Sequence, residues 1–426
     1  MICCFEGGEW FTLKKFLVVG NGFDLAHGLP TRYNDFLYFL VLCIDAFSDW
    51  RNWSIYGKQD DYKLEQAAFN DILHSFSNNK AVKDIFDENF ENIRQNLQSA
   101  EMKDLFKNDL MKYMICIYAS KMNLDYEFHW IDVEDELMKF IIDFNNSDRI
   151  YVGNTICLNI AYQDESERNF RTFYCKSISR YLKTLSNVPT EKLKSKIFEY
   201  IFKQLEQFSS LLKFYLELIM KKFNNEKRSS HLHFRFNSDV SDDFYFSHII
   251  SFNYTNTAET YNPNARMYYV NGAVFGSLQE KNIILGFENP FSSNSQEYCN
   301  DNVHLFFKNV QRILYGFEYK HNRWFASMRE DFSPTPKDIE KKIKDNARYV
   351  YIVGHSLSLS DKYILLDIIE KSDKIRIYYF NEEDKKSKIT NLYKILGDEK
   401  FYEYVNNDSA KHRIVLCPQS EIEVKL

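Results

Sequence analysis

No surplus of positive charge marks this chain: 54 Lys plus Arg stand against 60 Asp plus Glu, for a net charge of −6. It also lacks a basic tail or stripe, so nucleic acid is not the expected partner. No apolar run approaches the ~20 residues that a bilayer requires. The nearest, Leu211 to Met220, is broken by Lys213 and Glu217, and no membrane association is expected. A signal-peptide h-region with a small-residue cleavage site is missing too, because Lys14 and Lys15 lead straight into a strand-like run. The expected location is cytoplasmic.

Cysteine spacing excludes more. Cys3, Cys4, Cys43, Cys116, Cys157, Cys175, Cys299 and Cys417 contain no C-x-x-C pair, and His231-x-His233 is the one histidine pair at ligand-like spacing. A structural zinc site is therefore not expected. Free thiols in a reducing compartment account for the cysteines. Glycine and proline are few between about Asn34 and Asp243, where apolar residues recur at three- and four-residue spacing. Phe36, Leu37, Leu40 and Val41, then Leu105, Phe106, Leu110, Met114 and Ile117, then Ile197, Ile201, Leu205, Phe208 and Leu212 predict amphipathic helices. Aromatic residues are abundant at 17%. They would suit base-stacking surfaces, but a chain this rich in Phe, Tyr, Ile, Asn and Lys more simply reflects biased codon usage.

At 426 residues the chain exceeds the size at which one core stops growing, so a core domain with an insertion or second lobe is expected. Three segments define that core. In the first, the apolar run Phe16–Val19 ends in Gly20-Asn21-Gly22-Phe23-Asp24 and continues through His27-Gly28-Leu29-Pro30 to Arg32. A buried strand that stops at Gly-x-Gly before a helix start presents free N–H groups and a helix dipole to a nucleotide phosphate. Gly-x-Gly also closes ordinary strand-to-helix turns, and the third glycine of the dinucleotide fingerprint is missing.

A second such unit runs from Arg348 through Val353 to Gly354-His355-Ser356-Leu357, with Ser360 or Asp361 expected to cap a helix carrying Ile364, Leu365, Ile368 and Ile369. Between the two, the run Ile249 to Phe252 predicts a buried strand that opens at Asn253-Tyr254-Thr255-Asn256-Thr257. Open α/β sheets place ligands at such strand ends, which makes Asn253 a site candidate. After Asp361, a strand over Lys374–Phe380, a helix over Lys386–Leu396 and a strand over Arg413–Cys417 continue the pattern, implying parallel pairing. Pro334 and Pro336 mark the loop leading into this C-terminal part.

The order Gly-x-Gly-Phe-Asp-x-x-x-Gly-Leu-Pro, then Phe-Asn-Tyr-Thr-x-Thr, then Gly-His-Ser-Leu-Ser-x-x-Asp resembles the AbiH family, bacterial proteins of phage abortive infection. More distantly, Gly20-Asn-Gly22 through Gly28-Leu-Pro30, Asn253 and Gly354-His-Ser-Leu357 resemble the sirtuin-like NAD-binding fold. The fold implied is a Rossmann-like doubly wound parallel sheet, built from residues 12–40 and 245–426, with an inserted helical lobe over 41–244. The implied activity is anti-phage defence through binding NAD or a related nucleotide, as substrate or ligand rather than cofactor, and hydrolysing it at the nicotinamide–ribose bond. Without the zinc cysteines, a deacylase is disfavoured.

Under this resemblance, Gly20, Gly22 and Ser356 after Gly354 would cradle phosphates. Asn253 would position water or a ribose hydroxyl, and Asp24 would lend negative charge near a developing cation. Asn21, Phe23, Gly28, Arg32, Tyr254, Asn271, Gly354 and Asp361 complete the implied binding set. Sirtuin-like NAD-cleaving domains carry His-Gly where this chain has Asn271-Gly272. His27 and His355 are the histidines best placed to compensate for that missing base; otherwise the chain is a nucleotide sensor that does not cleave.

A third alternative is a metal-dependent nuclease using Asp132, Glu134 and Glu136 in a Trp130-x-Asp-x-Glu element. Acidic residues at a helix start also serve as cap and dipole partners. Lys308 and Arg312, one turn apart, could clamp a phosphate or simply form a solvated basic face. A phage-derived trigger and assembly into a homo-oligomer both remain open.

Overall fold

The computed structural model of the chain describes residues 2–4, 10–12, 14–47, 70, 74, 79–124, 132–146, 151–152, 155–156, 178, 181, 190–227, 233–236, 246–274, 283–289, 302–317, 348–405 and 413–425. Trp130, His231, Pro334 and Pro336 lie outside these residues. The chain divides into two compact units, one of residues 1–29, 220–283 and 312–426, the other of residues 30–219 and 284–311.

The first unit is organised by a six-stranded sheet. Its strands in chain order are β1 Lys14–Val19, β2 His248–Ser251, β3 Arg266–Tyr269, β4 Arg348–Val353, β5 Lys374–Tyr379 and β6 Ile414–Pro418. They lie side by side as β6-β5-β4-β1-β2-β3, and every neighbouring pair is parallel. That sequence of neighbours is the doubly wound order 3-2-1-4-5-6, which reverses between β1 and β4.

These runs form strands because both faces are covered. Phe16 and Val18 of β1 pack on one side with Ile352 of β4 and Ile364, Leu365, Ile368 and Ile369 of the helix Lys362–Glu370. Leu17 and Val19 point to the other side, among Ile249, Val353, Phe23 and Ala258. Period-two alternation therefore buries all four residues. Asn381 caps the helix Glu382–Leu396 by accepting from the Asp384 N–H at 2.8 Å.

The second unit is helical. Phe36 and Phe39 of Tyr33–Phe47 pack with tilted rings against Tyr215 of the long helix Thr190–Lys227, and Phe144 of Val133–Asn146 meets Phe198. The helix expected across Leu105 to Ile117 is broken in two, Ala100–Leu105 and Asp109–Leu124. Buried Asn108 sits at the break and accepts from the Met111 N–H at 2.7 Å, which starts a new helix. No helix among the described residues is long and apolar enough to cross a membrane.

Candidate functional site

The turns after β1 and β4 meet at the point where the strand order reverses. Gly20 N–H donates to Val353 O at 3.1 Å, and Gly22 N–H donates to Gly354 O at 2.8 Å. Gly354 has φ +66°, and a Cβ there would fall 2.0 Å from Phe23 N and 2.5 Å from Gly22 C. The glycines thus let two turns pack backbone to backbone. That contact engages the amides of Gly20 and Gly22, while Phe23 N–H returns to Gly20 O at 2.8 Å. These N–H groups, expected to cradle a phosphate, already have protein partners. Asn21 is exposed at the start of the six-residue helix Asn21–Ala26. Gly28, with φ +73°, closes the turn that follows it and donates to Leu25 O at 3.0 Å.

One step along that helix lies Asp24, a carboxylate only 1% exposed. Thr255 donates its hydroxyl to Asp24 Oδ2 at 2.6 Å, and Thr257 donates to Thr255 Oγ1 at 3.2 Å. Asp24 Oδ1 has no hydrogen-bond partner of good geometry among the described residues. Burial raises the Asp24 pKa from 3.8 to about 6, against the opposing pull of Thr255, Thr257 and Asn253. Asn253 follows β2, where Ser251 Oγ accepts from its N–H at 3.2 Å. Its side-chain nitrogen donates to Gly20 O at 2.9 Å, which fixes the β2 loop to the β1 turn. Tyr254 is half-buried, and its carbonyl accepts from Val274 N–H at 2.8 Å.

A second buried chain runs from His355 to Asn271. His355 Nδ1 accepts from Leu357 N–H at 2.9 Å, so the neutral ring carries its proton on Nε2, which lies 3.7 Å from Asp361 Oδ2. Arg312 Nη2 bonds Asp361 Oδ1 at 3.2 Å and Asn271 Oδ1 at 2.9 Å. All four side chains are buried. The Asp361 carboxylate makes no capping bond to the helix Lys362–Glu370. Ser358 instead accepts from Ser360 N–H and starts the preceding turn. Leu357 is held at φ +56°, a left-handed conformation unusual for a leucine. Ser356 is exposed, and its carbonyl accepts from Asn391 Nδ2 at 3.1 Å.

The two histidines occupy different settings. His27 caps the end of Asn21–Ala26, with Nδ1 donating to Phe23 O at 2.6 Å and its ring 4.8 Å from that of Tyr261. His355 belongs to the Asp361–Arg312 chain, its ring edge-on to Phe252 at 4.2 Å. Arg32 belongs to the helical unit, where its N–H donates to Asp35 Oδ2 at 3.1 Å.

The acidic group of the helical unit does not converge on a common point. Asp132 Oδ1 caps Val133–Asn146 by accepting from the N–H groups of Glu134 and Asp135 at 3.0 and 3.1 Å. Glu134 pairs with Lys308 at 2.7 Å, and Glu136 with Lys139 at 3.1 Å. No group of three or more potential metal ligands occurs among the described residues. Lys308 and Arg312 are not a solvated face: both are buried, one against Glu134, the other against Asp361 and Asn271. Sequence reasoning gave no role to Thr255 and Thr257 and missed the partners of Arg312. The signal available was Thr-x-Thr directly after the candidate Asn, since hydroxyls at a strand end can reach a carboxylate on the next turn.

Taken together, strand order, helices on both faces and polar residues gathered at the strand ends define a Rossmann-like α/β protein of the doubly wound kind. The family model for "Bacteriophage abortive infection AbiH" matches residues 16–381. The chain belongs to the AbiH family, and its role is in abortive-infection defence against phage. No curated protein and no solved structure matches it.

Proposed function

We propose that this AbiH protein acts in defence by binding NAD or a related nucleotide at the C-terminal ends of β1, β2 and β4 and hydrolysing its nicotinamide–ribose bond. The observation that carries the proposal is the meeting of the Gly20–Gly22 and Gly354–Leu357 turns at the reversal of strand order. Doubly wound sheets bind dinucleotides in the crevice at that point.

In the proposed reaction the C1′–N1 bond breaks, and its electron pair neutralises the nicotinamide ring nitrogen. Positive charge develops on the ribose, water oxygen bonds to C1′, and the water proton passes to solvent. Asp24 is mostly ionised at neutral pH, given a pKa of about 6. Its buried charge favours the oxocarbenium-like state. Asn253, tied to the β1 turn, positions the water or a ribose hydroxyl.

A second reading, nucleotide sensing without cleavage, is favoured by one observation. Asn271 stands where a base would be needed, and its oxygen is already held by Arg312 at 2.9 Å.

Saturation-transfer NMR with NAD tests the binding step. Transfer to both adenine and nicotinamide protons is expected in the wild type, weakened in Asn253→Ala of unchanged circular dichroism. No transfer to either ring in the wild type would sink both readings.

A further inference from the structure

Leu357 is fully buried, yet its backbone stands at φ +56°, a conformation that a leucine keeps only where its surroundings hold it. We infer that His355 is what holds it, as a positioning residue and not as a base that moves a proton. Its neutral imidazole accepts the Leu357 N–H and closes the turn after β4 around Ser356. A backbone N–H can only donate, so the 2.9 Å bond from Leu357 requires a lone pair on Nδ1. The ring proton is then on Nε2, 3.7 Å from Asp361 Oδ2, where a carboxylate favours an N–H over a second lone pair. Arg312 holds that carboxylate in turn, with Nη2 3.2 Å from Asp361 Oδ1 and 2.9 Å from Asn271 Oδ1. With Nδ1 given to Leu357 and Nε2 protonated, the neutral ring keeps no acceptor for a substrate proton.

The arrangement is that of an Asx turn, in which an Asn or Asp side chain accepts from the N–H two residues on. Imidazole Nδ1 and the amide oxygen of Asn are both bonded to Cγ, so they reach the same place. Ser356, enclosed between acceptor and donor, is exposed, and its carbonyl accepts from Asn391 Nδ2 at 3.1 Å. The other strand ends bear on His355 directly. A Cβ at Gly20 would fall 2.7 Å from His355 Cα, and the His355 ring meets that of Phe252 edge-on at 4.2 Å. The β4 turn is therefore shaped before any ligand arrives, which spares a ligand the cost of ordering it. That benefit rests on the proposed nucleotide site; the bond itself is a property of the ligand-free protein.

The test reads the two ring nitrogens of His355 by 15N NMR at neutral pH without ligand, the ring being assigned by its through-space contact with Phe252. A lone pair on Nδ1 and a proton on Nε2 are expected. A ring protonated on Nδ1, alone or together with Nε2, overturns the inference, and this reading needs no variant to fold. Hydrogen exchange at the Leu357 amide then separates the bond from packing. Exchange should stay slow in His355→Asn, whose Oδ1 can accept the same N–H, and quicken roughly five- to tenfold in His355→Leu of unchanged circular dichroism, which offers no acceptor. Exchange as slow in His355→Leu as in the wild type also overturns it. Failure of NAD to bind would remove the proposed function and leave both readings as they are.

Discussion

Asn253 Nδ2 donates to the Gly20 carbonyl across 2.9 Å, joining residues 233 positions apart in the chain. The bond ties the end of β2 to the turn after β1, and that turn is in turn packed on Gly354 after β4. Three strand ends from distant parts of the sequence are thereby held as one polar edge.

Asp24 costs stability where it is ionised. Its pKa rises from 3.8 unfolded to about 6 folded, so the folded chain binds the proton more tightly. Its favourable contribution is complete below the unfolded value and is lost as pH rises through about 6. A shift of this size corresponds to about 3 kcal/mol. Asp24→Asn is therefore expected to raise the unfolding free energy near neutral pH by about 1–3 kcal/mol and to gain little under acid conditions. Thermal melts of both proteins across pH measure the difference.

Gly354, in the turn after β4, and Gly28, after the helix Asn21–Ala26, both have positive φ but should respond differently to alanine. Gly354→Ala places a methyl 2.0 Å from Phe23 N, where only backbone could move. A loss of about 3 kcal/mol or more is expected. Gly28 has a similar φ of +73° but nothing within 4 Å, so Gly28→Ala bears only the conformational cost, about 1–2 kcal/mol. Urea unfolding compares the two.

Arg312 and Asp361 form a buried pair at 3.2 Å, 5% and 8% exposed. Removing one partner leaves an uncompensated charge, so Arg312→Met and Asp361→Asn are each expected to cost about 3–5 kcal/mol. The double variant is expected to lose less than the sum of the two, and a double-mutant cycle in urea measures the coupling.

The sheet was legible in sequence because parallel strands buried on both faces leave short, largely apolar runs rich in Val and Ile: Phe16–Val19, Ile249–Phe252 and Tyr349–Val353 carry the signal locally. Their glycine turns were equally visible, but not why the glycines are there. Gly22 and Gly354 read as room for a ligand, whereas much of that room is taken by each other's backbone. Arg312 illustrates the remaining gap. Helical spacing pairs it with Lys308, yet its partners Asn271 and Asp361 lie 41 and 49 residues away, and no local period encodes such a contact. Asp24 was visible as a charge in the motif, but its hydrogen-bond partner Thr255 lies 231 residues on.

A proton NMR time course of the purified protein with NAD follows cleavage of the nicotinamide–ribose bond itself. Free nicotinamide should accumulate with the wild type and not with Asn253→Ala of unchanged fold, and the rate should fall as pH drops through about 6, where Asp24 takes up its proton. NAD that binds but stays intact contradicts hydrolysis and leaves the sensor. Nicotinamide released equally by Asn253→Ala would remove the strand-end site from the reaction.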